Sequence, residues 1–202
     1  MITIESMMSV DKGDLPEASK KLSRDDIPQL VEWLSLKDDD IRYQAFLLLQ
    51  NRSSFYDDVI QYWDTFHGKL NSDNSYQRSI GLMLIAENVK WDTAGRMENT
   101  IDNYLELLND EKPVTVRLCI QSMGKIVPYK PGLSDKIAGR LISFNIMAVK
   151  ETMRKSVLLD ILNILLLLRK GLKTGETESY IRRALSGEFL DKKSKKQIEA
   201  LI

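Results

Sequence analysis

One arginine-marked segment recurs four times along the 202 residues, and this recurrence limits what the chain can fold into. Arg42, Arg78, Arg117 and Arg154 stand 36, 39 and 37 residues apart, each near the start of a stretch with helical periodicity. The residues one before, three after and seven after each arginine share one helix face, because an α-helix turns once every 3.6 residues. They read Ile41, Ala45, Leu49; Gln77, Gly81, Ile85; Val116, Ile120, Gly124; and Met153, Val157, Ile161. All are apolar or glycine except Gln77, so the same buried stripe is written four times. A short unit with one apolar face cannot bury it alone, and stacking on similar units is the usual solution.

A second helical pattern precedes each arginine helix. "DIPQLVEWLSL" aligns Ile27, Leu30, Val31 and Leu34, with Ser23 and Asp26 spaced as a capping box. "YDDVIQYWDTFHGKL" aligns Val59, Trp63, Phe66 and Leu70, with Ile60 beside them. "MENTIDNYLELLND" aligns Met97, Ile101, Tyr104, Leu105 and Leu108, and "LSDKIAGRLISF" supplies Ile137, Leu141 and Ile142 behind Ser134 as a cap. Short polar turns such as "NSDNS" and "NDEKP" join the members of each pair. The spacing predicts an all-α fold, an α-solenoid of four to five antiparallel helix pairs, with units over about 23–53, 55–89, 92–129 and 131–170. A capping pair is expected over 174–202, its last helix docking through Ile198, Leu201 and Ile202. Residues 1–22 are expected to be a short helix or disordered, and residues 23–202 a single domain. Nowhere do β-branched or aromatic residues alternate strictly between turn signals, so no strand is predicted.

Charge narrows the functional classes. The net charge is zero, which gives no global attraction to nucleic acid or to an anionic membrane. Residues 1–100 carry 11 Lys and Arg against 17 Asp and Glu, a balance of −6, and residues 101–202 carry the compensating +6. The runs "RKGLK", "IRRAL" and "DKKSKKQ" can serve an acidic partner or simply solvate helix ends. The strongest apolar run, "SVLLDILNILLLLRKG", is broken by Asp160 and Asn163 and is shorter than the roughly 20 residues of a membrane span. No positively charged start followed by an apolar block marks a secretory signal, and the single Cys119 forms no internal disulfide; a cytoplasmic setting is expected.

"NDEKPVTVRLCIQSMGKI" and "DDDIRYQAFLLL" resemble the second half of a HEAT repeat: an aspartate-bearing turn, an aliphatic residue before the arginine, then small or aliphatic residues on one face. The likeness runs over about residues 23–170, with departures at Gln77 and in the fourth turn, which lacks an aspartate. It implies that the repeated arginines pair with turn aspartates, here Asp39 or Asp40, Asp73 and Asp110, as a ladder between units. Ligand binding by the four arginines is the competing reading, since a guanidinium also suits phosphate or carboxylate.

Catalytic chemistry finds little purchase. His67 is the only histidine, one Cys and one His fall short of a zinc set, and Gly132 and Gly171 are isolated rather than part of a phosphate loop. "DDD" at 38–40 and "DD" at 57–58 sit where helix starts favour acids. No cofactor, no metal and no catalytic residue is predicted. Trp33 and Trp63 read as core, and Trp91 as either core or an exposed platform.

Binding is the remaining role. In a stacked array the second helices line the concave side, the usual binding surface. Positions one, five and eight after each arginine point away from the core stripe. They give Tyr43, Leu47, Gln50, Ser79, Met83, Leu118, Ser122, Lys125, Lys155 and Leu159 as candidate protein-binding residues, together with Ala86 and Leu162. Mixed and weakly charged, this lining suits a protein segment such as an amphipathic helix. The sequence therefore points to a non-catalytic interaction module or scaffold with a protein or peptide partner. The alternative is a nucleic-acid-acting protein, since some DNA glycosylases, the alkylpurine glycosylases among them, resemble HEAT-like solenoids; for that role Lys125 and Lys155 are the only cations on the inferred face.

Overall fold

The computed structural model describes residues 1–171 and 173–202; Leu172, inside the basic run "RKGLK", lies outside the described residues. Among the described residues there is no strand, and no helix is long and apolar enough to cross a membrane. The chain divides into two compact units, Met1–Thr100 and Ile101–Ile202.

In the first unit, α1 (Ile4–Met8) and α2 (Leu15–Lys21) are followed by α3 (Ile27–Trp33), α4 (Asp39–Phe55), α5 (Trp63–Lys69) and α6 (Ser75–Asn88). Residues 1–22 are thus helical and packed: both α1 and α2 lie against α4, with Met7 and Leu15 buried. The Gln44 side-chain amide donates to the carbonyls of Met7 and Val10, fixing the loop after α1. Ser23 and Asp26 form the expected capping box, on a 3₁₀ turn that leads into α3. The stripes Ile27, Leu30, Val31, Leu34 and Val59, Trp63, Phe66, Leu70 are all buried; Ile60 is half-exposed. Helix α4 packs on α3 and α6, and α5 packs on α6.

Gly81 sets how closely α5 and α6 approach. A β-carbon there would lie 2.6 Å from the Phe66 carbonyl oxygen, a backbone atom that cannot swing aside. Gly81→Ala is expected to cost about 1–3 kcal/mol through this overpacking, against the gain in helix propensity that alanine normally brings. Urea denaturation of the two proteins measures the difference.

The chain continues through α7 (Arg96–Glu106) into the second unit, which holds α8 (Pro113–Ile126), α9 (Ser134–Ile142), α10 (Glu151–Arg169), α11 (Gly175–Ser186) and α12 (Lys192–Glu199). Helix α10 packs on α8, α9, α11 and α12. Tyr104, Cys119, Ile120, Ile137, Val157 and Ile161 are fully buried, and the Cys119 thiol faces the Tyr104 carbonyl at 3.3 Å. Leu158, Leu162, Leu166, Ile181, Leu190 and Ile198 form a further apolar cluster. Two local expectations are corrected. Helix α12 docks through Ile198 and Ser194 while Leu201 and Ile202 are exposed, because the helix ends at Glu199 before they can join its buried face. Ser134 makes no capping bond, since a 3₁₀ turn over Pro131–Leu133 already leads into α9.

Candidate functional site

The repeated arginines are held by their own turns. Arg42 Nη1 donates to the Leu36 carbonyl at 2.7 Å, and Nη2 bonds Asp39. Arg78 Nη1 donates to the carbonyls of Ser72 and Asp73 at 2.8 and 3.0 Å. Arg154 donates from Nε to the Val149 carbonyl and from Nη2 to that of Met147. In all three the guanidinium folds back five to seven residues and satisfies turn carbonyls, which a buried loop end would otherwise leave orphaned.

Arg117 differs. Its Nε donates to Asp160 Oδ2 at 2.6 Å, on α10, a hydrogen bond that raises its pKa. Helix α8 begins at Pro113, four residues before its arginine, whereas α4, α6 and α10 begin three before theirs. One extra residue rotates the side chain by about 100° away from its turn. Beside the expected ladder of turn aspartates, the structure thus shows a clamp on turn carbonyls, with Asp39 gripped by Arg42 and Asp160 of α10 gripped by Arg117.

On the outward face of the first unit, Tyr43 is 51% exposed, Leu47, Gln50 and Met83 are half-buried, and Ser79 and Ala86 are buried. Helices α4, which carries Tyr43 and Leu47, and α6, which carries Met83, are neighbours, and the Ser54 hydroxyl of α4 bonds Glu87 of α6 at 3.1 Å. Of the second-unit candidates on the neighbouring α8 and α10, Leu118 is half-buried and Lys125 exposed, while Ser122 is buried and hydrogen-bonded to the Tyr104 hydroxyl, whose pKa burial raises well above the ordinary tyrosine value. Leu159 packs against the α10–α12 apolar cluster, and Leu162 is part of it. Lys155 is paired with Asp191, and that bond holds the Asp191 carboxyl below the usual range.

Two apolar residues on these faces escaped the offset rule: Tyr76, 65% exposed, and Val114, 64% exposed. They lie two and three residues before Arg78 and Arg117, one helical turn ahead of the stripe. Extending the same periodicity one turn toward the amino terminus finds both. The second unit also carries a cleft of about 490 Å³ over Val116 and Val157, rimmed by Arg140, Phe144, Asn145 and Lys150. His67 is half-buried on α5, and among the described residues no three metal-ligating side chains group together. Trp91 is half-exposed and donates from its indole to the Ser53 carbonyl at 2.8 Å.

No family model matches the chain, and a comparison with curated proteins finds no match. Among solved structures, the crystal structure of an engineered protein from a structural genomics consortium is similar over 98% of each chain, at 16% identity and a TM-score of 0.42.

Proposed function

We propose that this chain is a HEAT-like α-solenoid without catalytic activity that binds another protein or a peptide segment through the outward faces of its second helices. The observation that carries this is the repeated device: three arginines at the fourth position of their helices make the same backward clamp on their own turns, as repeated copies of one helix pair require. With the arginines spent on structure, the solvent-facing apolar side chains Tyr43, Leu47, Tyr76 and Met83 are what the first unit offers a partner. Aromatic and aliphatic anchors with few charges suit an amphipathic helix laid along the surface. The reading places the protein in the cytoplasm, where a free buried thiol such as Cys119 is at home.

Affinity capture from the native host, with bound proteins identified by mass spectrometry, tests it. Leu47→Asp and Met83→Asp are each expected to weaken capture of the identified partner by about 30-fold or more, by placing an unpaired charge in the contact, while circular dichroism stays native. Undiminished capture by both variants refutes this face. The nucleic-acid alternative has thin support, because the inferred lining carries two cations, Lys125 and Lys155, and Lys155 is paired with Asp191. A duplex titration decides it: salt-sensitive micromolar binding favours that alternative, and no binding removes it.

A further inference from the structure

A cavity of about 620 Å³ opens among the turns of the first unit, and its lining includes Lys37, Asp39, Arg42 and Lys69. Three cations thus face one carboxylate, and that carboxylate already holds Arg42. Lys69 is 9% exposed and Arg42 is 7% exposed. The Lys69 ammonium donates to Ser35 Oγ at 3.1 Å and to Gln77 Oε1 at 2.5 Å, both uncharged oxygens. Burial, and after it the charge of Arg42, lowers the Lys69 pKa.

Both unusual residues break the repeat at the same spot. Gln77 is the one polar residue in the fourfold apolar stripe, and its amide nitrogen donates to the Leu34 carbonyl at 2.8 Å, which turns its oxygen toward Lys69. Nine residues before each arginine, where the second unit of the repeat has Lys69, the first and third have the buried apolar residues Trp33 and Leu108. A buried ammonium is costly unless a counter-charge meets it, and its two partners here are neutral. A lysine and its glutamine placed together against the pattern make sense if the counter-charge arrives from outside.

We propose that this cavity is an oxyanion site that takes a phosphoryl group at Lys69, with Arg42 contributing charge. Arg42 has its Nη1 and Nη2 groups committed to carbonyls and Asp39, so it offers field more than a bidentate grip. What remains is a compact ammonium beside the Ser35 hydroxyl in a cavity whose lining also holds the polar side chains of Ser72 and Asn74, and several donors with a point charge fit the three oxygens of a phosphoryl group better than a planar carboxylate. The site shares Tyr76 with the helix face described above but does not depend on that reading, since the charge that defines it is that of Lys69.

The test is titration of the full chain with inorganic phosphate at fixed ionic strength, against chloride, by calorimetry and by NMR of the lysine side chains. Saturable binding at one site is expected, with the Lys69 resonances shifting as it fills. Lys69→Met is expected to weaken binding by about tenfold or more, the range for one charge-assisted hydrogen bond, while the melting temperature holds or rises because a desolvated ammonium is gone. Lys112→Met, an exposed lysine in the other unit, should bind as the parent does. A phosphoserine peptide beside its unphosphorylated form then separates sources: tighter binding than inorganic phosphate points to a phosphorylated chain, and equal binding to the free ion. No saturable phosphate binding, or Lys69 resonances that do not respond to phosphate, overturns the proposal whatever the variants do.

Discussion

Asp58→Ala is expected to destabilise the first unit by about 3–5 kcal/mol, the usual result of stranding one member of a buried ion pair. Arg52 and Asp58 are 5% and 7% exposed. Arg52 Nε lies 3.2 and 3.1 Å from the two Asp58 oxygens, and Nη2 lies 2.6 Å from Oδ2. Nη1 donates to the carbonyls of Ser19 and Lys20, and the guanidinium stacks 3.7 Å from the Tyr56 ring centre. With Asp58 gone, the guanidinium keeps only neutral partners in a place where water cannot replace the lost charge. A protein domain has about 5–15 kcal/mol of stability in total, so the loss is a large share of it.

Urea denaturation followed by tryptophan fluorescence measures the effect, since Trp33, Trp63 and Trp91 all lie in the first unit. Arg52 also grips the carboxyl end of α2, so the variant should be cut faster by trypsin at Lys21 and Arg24. The paired change Arg52→Met with Asp58→Leu is expected to recover much of the loss, because an apolar pair needs no counter-charge. A drop below about 1 kcal/mol for Asp58→Ala would show the pair to be solvated.

The apolar periodicity made the helices legible, and the polar exceptions hid what they were for. Ile27, Leu30, Trp63, Phe66, Met97, Ile101 and Ile137 were all readable as core because a one-sided helix leaves no other place for them. Asp58 was not: its position in an acidic pair before a helix has an adequate local explanation, and its partner Arg52 lies at the far end of α4, where no repeat offset points. Of the residues the offset rule pointed outward, Tyr43 on α4 is exposed and Leu47 half-buried, whereas Ser79 and Ala86 on α6 and Ser122 on α8 are buried, because a helix packed against more than one neighbour buries more than one face. Gln77 appeared in the sequence only as a flaw in a stripe; its meaning depends on Lys69, eight residues earlier on another helix.

Trp63→Ala should cost about 3–5 kcal/mol, comparable with loss of the ion pair but for an opposite physical reason. Trp63 opens α5, is 1% exposed, and is among the largest fully buried side chains. Its indole N–H donates to Thr100 Oγ1 at 3.0 Å, so the ring is fixed at its polar edge as well as packed along its faces. Alanine would open a void that the close approach of α5 and α6 at Gly81 leaves little freedom to refill, because the two backbones already touch there. Trp63→Phe keeps most of the volume and loses the donor, and is expected to cost about 1–2 kcal/mol. Fluorescence of the remaining Trp33 and Trp91 reads both variants. A Trp63→Phe loss as large as that of Trp63→Ala would assign the ring's importance to its hydrogen bond; the ordering expected here, with alanine much the worse, assigns it to filled space.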